Sequence, residues 1–142
     1  MRRLFGIALV FVAAAGCGDK KKIEQCNALI TVINAGVDKV QKGTSTTPDG
    51  GAALSELNAL ADEMEHIGKE AAKIKLTVPE LKKMSTEYQA MAAEVAVAAR
   101  ELATAVDNVD IEKIHAAQGR LDKAVKREDP LVERLNKFCQ QP

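Results

Sequence analysis

The sequence predicts an all-α protein, an antiparallel up-down-up-down four-helix bundle that follows a cleaved N-terminal segment. Three observations predict it. Four stretches place apolar residues at alternating spacings of three and four, the repeat of helices packed nearly parallel or antiparallel around a shared seam. No stretch alternates with period two, so strands are not expected. The links between stretches are short, which makes each helix reverse the direction of the one before it.

The first element is not part of the fold. Met1-Arg2-Arg3 is basic, Leu4 to Val12 is a short apolar run, and Ala13-Ala14-Ala15-Gly16 is a row of small residues. That order is the layout of a secretory signal peptide. As a helix, Leu4 to Ala15 would cover roughly 18 Å of a hydrocarbon core near 30 Å thick, so it reads as a signal to be removed and not as a permanent span.

Ala14-Ala15-Gly16-Cys17 resembles the lipobox of bacterial lipoproteins, in which a small residue stands directly before the lipid-accepting cysteine. The sequence departs from that pattern at Ala14, where the class prefers leucine, and Ala13-x-Ala15 also suits an ordinary signal peptidase cutting after Ala15. The resemblance covers this segment alone. It implies a cut before Cys17, a thioether diacylglycerol on Cys17, and usually an amide-linked acyl chain. The mature domain would then be anchored to the inner or outer membrane of the cell envelope, on the periplasmic or outer side. At about 0.8 kcal/mol per buried methylene, two or three chains hold a protein on a membrane with no apolar surface on the domain itself. The chain divides accordingly into a signal peptide (1–16), a lipidated tether (17–22) and a bundle domain (23–142).

Removing the signal leaves 126 residues with 18 basic and 20 acidic side chains. That length supports one domain with a real core. The charge balance gives no global field for nucleic acid, and there is no tryptophan or aromatic cluster for bases to stack on, so nucleic acid is not an expected partner. With Cys17 set aside for lipid, Cys26 and Cys139 remain, and export to an oxidising compartment makes a disulfide between them the expectation. Gly18-Asp19-Lys20-Lys21-Lys22 reads as a solvated spacer, with contact to lipid headgroups as the alternative.

The helices follow in order. The first carries Ile23, Cys26, Ile30, Ile33, Val37 and Val40, and ends at Lys42-Gly43 before the loop-like run Thr44 to Gly51, in which Thr47 and Pro48 suit an N-cap and first helical residue. The second carries Leu57, Leu60, Met64, Ile67, Ala71 and Ile74. Thr77 and Glu80 form a capping box, with Leu76 and Leu81 as a hydrophobic staple, so the third helix is expected to start near Val78. It carries Leu81, Met84, Tyr88, Met91, Val95, Ala98, Leu102 and Ala105. After Asp107-Asn108-Val109-Asp110 comes the fourth, with Ile111, Ile114, Gln118, Leu121, Val125, Val132 and Leu135. Pro130 denies an amide proton to the carbonyl of Lys126, which predicts a break there, with Asp129 capping the restart and Glu128 reaching water through the gap. In this topology the start of the first helix and the end of the fourth share one end. Cys26 and Cys139 then meet, unless a dimer completes its bundle between chains and bridges two molecules. Within one chain, closing a loop of this size is assigned about 4.7 kcal/mol by the chain-entropy model.

Candidate sites are few. His66 and His115 fall about 13 Å apart along the axis, too far to share one metal, and both sit beside the seam. Covalent haem is excluded because no Cys-x-x-Cys-His occurs. Met64, Met84 and Met91 in seam register read as core filler before they read as a soft-metal site. Glu56 with Asp62 and Glu63 with Glu65 lie on a charged exterior with no sign of a pocket. No Gly-x-Ser-x-Gly, Walker loop or His-Glu-x-x-His is present, so there are no catalytic or metal residues to name, no cofactor is implied, and nothing supports an enzyme. The third helix is alanine-rich around much of its circumference, which reads first as good helix-forming sequence or a central place in the fold, with Ala93, Ala96 and Val97 as the candidate partner face. The functional expectation is a lipid-anchored, non-catalytic envelope adaptor, scaffold or accessory binding subunit, tied to the membrane through Cys17, with a protein partner or a second copy. The alternative is a carrier whose bundle interior holds haem, a metal or a lipid tail.

Overall fold

The computed structural model describes residues 20–43 and 50–141. Cys17 with the lipobox before it, and Thr47-Pro48, lie outside the described residues. About nine-tenths of the described residues are helical, with no strand among them, so the protein is all-α. The helices are α1 (Lys20–Gly43), α2 (Gly50–Lys73), α3 (Pro79–Asp107), α4 (Ile111–Val125) and α5 (Glu128–Gln140). Helices α1, α2 and α3 pack closely, and α3 packs against each of the other four.

Helix α1 begins earlier than expected. Lys20, Lys21 and Lys22, assigned above to the tether, form its first turn. Lysine is a good helix former, and Lys22 is held by the far end of the chain. Its Nζ donates to the carbonyl of Gln141 at 2.7 Å and lies 4.6 Å from the Phe138 ring. Along α1, Cys26, Leu29, Ile33 and Gly36 make the inward stripe. Leu29, absent from the expected seam, is fully buried, while Ile30 and Val37 are half-buried beside it. The packed stripe keeps the alternation of three and four but is turned about the helix axis, so that positions 29 and 36 replace 30 and 37.

Gly36 is a point of close contact between α1 and α2. A Cβ there would lie 2.0 Å from Cγ1 of Ile67, a side chain that is itself only 1% exposed. The glycine is a packing requirement and not a breaker.

The entry to α3 is capped, but not by its own sequence. Val78 is the N-cap and Pro79 the first helical residue, yet no side chain within the segment caps it, so the Thr77–Glu80 box does not form. Gln25 of α1 takes its place. Its Oε1 accepts from the Thr77 and Val78 amides at 2.7 and 3.1 Å, and its Nε2 donates to the Thr77 hydroxyl at 2.8 Å. With Val78 as the N-cap, Thr77 lies one residue outside the helix, and its hydroxyl meets Gln25 instead.

Helix α3 ends in a Schellman turn. The Val109 amide bonds the Val106 carbonyl and the Asp110 amide the Ala105 carbonyl, with Val109 in the left-handed region at φ 53°. That position usually favours glycine. Asp110 then caps α4 by accepting from the Lys113 amide at 3.1 Å.

Helix α4 differs from its expected register. Ala117 and Ala124 are buried, whereas Ile111 and Val125, predicted in the seam, are 60% and 44% exposed. Ala105 and Ala117 line one groove between α3 and α4, and Ala98 and Ala124 the other. Small side chains let the two helices approach closely, so the alanine edge of α4 faces α3 and the larger residues turn aside. The chain then breaks at Lys126–Arg127, four residues before Pro130, which falls in the first turn of α5 where a missing amide proton costs nothing. Asp129 is in that first turn and is not the cap: Arg127 is the N-cap, without a side-chain bond.

Two glycine substitutions separate packing from propensity. Gly36→Ala is expected to destabilise the domain by about 2 kcal/mol, overpacking exceeding the helix-propensity gain. Gly119→Ala, where an added Cβ would meet nothing within 4 Å, is expected to stabilise it by about 1 kcal/mol. Chemical denaturation of both variants checks the opposite signs, and a stabilised Gly36→Ala would contradict the packing.

Candidate functional site

Cys26, in the second turn of α1, is joined to Cys139, in the last turn of α5, across a sequence separation of 113 with the Cα atoms 5.8 Å apart. Gln25 is its neighbour. One turn of α1 therefore holds α5 covalently and the entry of α3 by hydrogen bonds. Gln25 was not singled out in the sequence, and no local signal marks it, since its partners lie 52 and 53 residues away.

Along the other flank runs a ladder of charge pairs. Glu87, Glu94 and Glu101 of α3 meet Arg134, Arg127 and Arg120. The acids rise by seven as the arginines fall by seven, so one register persists across the break between α4 and α5. This was legible: the two heptads of opposite charge stand in the sequence and only needed to be set against each other. On the α2 side, Arg100 is held between Glu65 and Asp62, the latter at 2.7 Å. That pair holds the Glu65 carboxyl below its ordinary range. Glu63 faces Lys39 of α1 at 3.3 Å. Asp62, Glu63 and Glu65 thus pair with cations between helices.

The proposed partner face divides. Ala96 is buried in the core at 1% exposure, whereas Ala93 is exposed and Val97 is 57% exposed. Ala96 is therefore withdrawn from that face. Ala93 and Val97 instead line an open groove between α3 and α4 with Ala98 and Ala124, edged by the Glu94–Arg127 and Glu101–Arg120 pairs. His66 and His115 are both exposed, and no group of three metal-ligating side chains occurs among the described residues. Met64 and Met91 are buried and Met84 half-buried, all within or against the core.

Glu128 reaches water only in part. It is half-buried at the start of α5, where its Oε1 accepts from the Tyr88 hydroxyl at 3.2 Å. Burial raises its carboxyl above the ordinary value, the tyrosine bond partly opposing this. Burial and the neighbouring carboxylate raise the Tyr88 phenol as well. The break falls one residue before Glu128, and the restarted helix turns the side chain inward onto α3.

No protein-family model matches the chain, and no curated protein or solved structure is found similar to it.

The pair sets a pH dependence. An acid whose folded pKa is raised resists ionisation in the folded state, so it costs stability above that pKa and nothing below its unfolded value. Glu128→Gln, which keeps an acceptor for Tyr88, is expected to raise the unfolding midpoint at pH 7. The gain should shrink as pH falls through the carboxylate range, to nothing near pH ~3. Thermal unfolding against pH checks this, and a gain independent of pH would contradict the assignment.

Proposed function

We propose that this chain is a lipid-anchored, non-catalytic component of a bacterial cell envelope, an adaptor or scaffold held on the inner or outer membrane through Cys17 with its domain on the periplasmic or outer side. The observation that carries the reading is the use of the cysteines. Two of three are joined between the first and last helices. The third stands three positions before α1, directly after a basic, apolar and small-residue leader. A disulfide that closes the whole domain suits a chain that folds in an oxidising compartment.

In this reading the domain is an up-down-up-down bundle, with α4 and α5 together acting as the fourth helix. The heptad ladder between α3 and α4–α5 supports that arrangement, as do the Gly36–Ile67 and Lys39–Glu63 contacts between α1 and α2. The groove floored by Ala93, Val97, Ala98 and Ala124 is the face offered to a protein partner or a second copy. No described helix is long and apolar enough to cross a membrane, and in this reading attachment rests on the lipid.

Intact mass of the protein extracted from its native membrane tests the proposal. The expected species begins at Cys17, carries acyl chains, and shows two alkylatable thiols only after reduction. A chain beginning at Gly16, or one with an unmodified Cys17 thiol, would refute the anchor.

A further inference from the structure

The described residues carry 18 basic and 18 acidic side chains, but these are not evenly spread. Three segments meet at the disulfide end: the start of α1 (20–24), the stretch from the end of α2 through the first turns of α3 (73–83), and the end of α5 (137–141). They are pinned there by Cys26–Cys139, by Gln25 on Thr77 and Val78, and by Lys22 on Gln141. Together they hold eight basic side chains against two acidic ones, so the remaining described residues hold ten against sixteen. The domain is neutral as a whole and polarised along its length.

Lys73 pairs with Glu70, but six of the eight cations at this end differ from the arginines of the domain. Arg100, Arg120, Arg127 and Arg134 are all paired with carboxylates. Lys20, Lys21, Lys75, Lys82, Lys83 and Lys137 are exposed, and among the described residues none has an ion-pair partner. Nor are the lysines at the helix starts there to stabilise the helices. Lys20–Lys22 and Lys82–Lys83 sit in or near the opening turns of α1 and α3, where the helix dipole is positive and cations are disfavoured; α1 has no acidic residue in its first turn. The C-terminal ends of α2 and α5 lie at the same end with their dipoles opposed, so the surface owes its sign to the lysines. The result is an anion-seeking surface built from three separate parts of the chain.

The anion is indicated by what lies next in the sequence. Cys17 is three residues before Lys20, a reach of at most about 11 Å when extended, comparable with a Debye length of about 8–10 Å. Any plane that holds a lipid on Cys17 lies within the field of this end. We propose that the basic end docks on the anionic phospholipid headgroups of the membrane that carries the anchor. Helix α3, about 43 Å long at 1.5 Å per residue, would then extend from the surface and present the Asn108–Asp110 link outward. The inference rests on the reading of Cys17 as lipidated, but the surface has its own test.

That test uses the mature chain from position 17 carrying Cys17→Ser, which has no lipid, in sedimentation with vesicles. Binding to phosphatidylcholine–phosphatidylglycerol vesicles at low salt is expected to exceed binding to pure phosphatidylcholine roughly tenfold, and to disappear near ~0.5 M salt. Lys75→Gln with Lys82→Gln and Lys83→Gln, all at exposed positions, should lower it roughly tenfold or more with the helical circular dichroism unchanged. Equal binding to the two vesicle types, or a triple variant that binds as before, would overturn the docking surface. Tighter binding to RNA or to an acidic polypeptide than to the anionic vesicles would overturn the lipid assignment. An intact mass without acyl chains would remove the anchor and leave the vesicle result standing, so the two failures are distinguishable.

Discussion

One covalent link, Cys26 to Cys139, holds together parts of the chain that little else joins. Helix α4 leans on α3 through alanines, which bury little area, and through charge pairs that are largely exposed and add little to stability. Helix α5 completes the core with Leu131 and Leu135, packed against α3 and tied covalently to α1. Closing a loop of this length is assigned about 5 kcal/mol, of the same order as the net stability of a whole domain. The neighbouring Gln25 extends the constraint to the entry of α3. A single turn of α1 thereby orders the first, third and last helices at one end.

Helix α3 is the element on which the rest is registered. Its inner face supplies Leu81, Tyr88, Met91 and Val95 to the core, and its alanines admit close neighbours on both flanks. The heptad of glutamates at 87, 94 and 101 contributes alignment more than energy. Each rung is exposed, but a shift of α4–α5 by one residue would separate all three pairs at once. That explains how the register survives the interruption at Lys126–Arg127, where backbone hydrogen bonding alone would not transmit it. Tyr88 and Glu128 add a half-buried bond where α5 restarts.

Helix content, the link at 108–110 and the cysteine pair were legible in the sequence because each rests on local pattern or on counting. What failed depended on neighbours. Thr77 has the spacing of a capping box, but the cap comes from Gln25, 52 residues away. Ile111 and Val125 fit the apolar repeat, but Ala117 and Ala124 allow a closer approach and win the interface. Leu29 and Ile30 both fit an alternation of three and four through Cys26 and Ile33, and only the rotation of α1 against its neighbours puts Leu29 in the core. Ala96 and Ala93 are indistinguishable by composition, and only the orientation of α3 separates the buried one from the exposed one. The charge ladder and the basic end were present in the sequence in full; what the sequence lacked was the pairing of helices that turns scattered lysines into one surface.

The start of α1, the disulfide and the basic surface coincide at one end of the molecule, and the account depends on that end being held by Cys26–Cys139. Amide hydrogen exchange on the oxidised domain and on a Cys26→Ala, Cys139→Ala double variant measures this most directly. The account predicts that protection falls in α5, in the first turns of α1, and at the Thr77 and Val78 amides, while the middle of α3 around Val95 stays protected. Unchanged protection at Thr77 and across α5 in the double variant would contradict it.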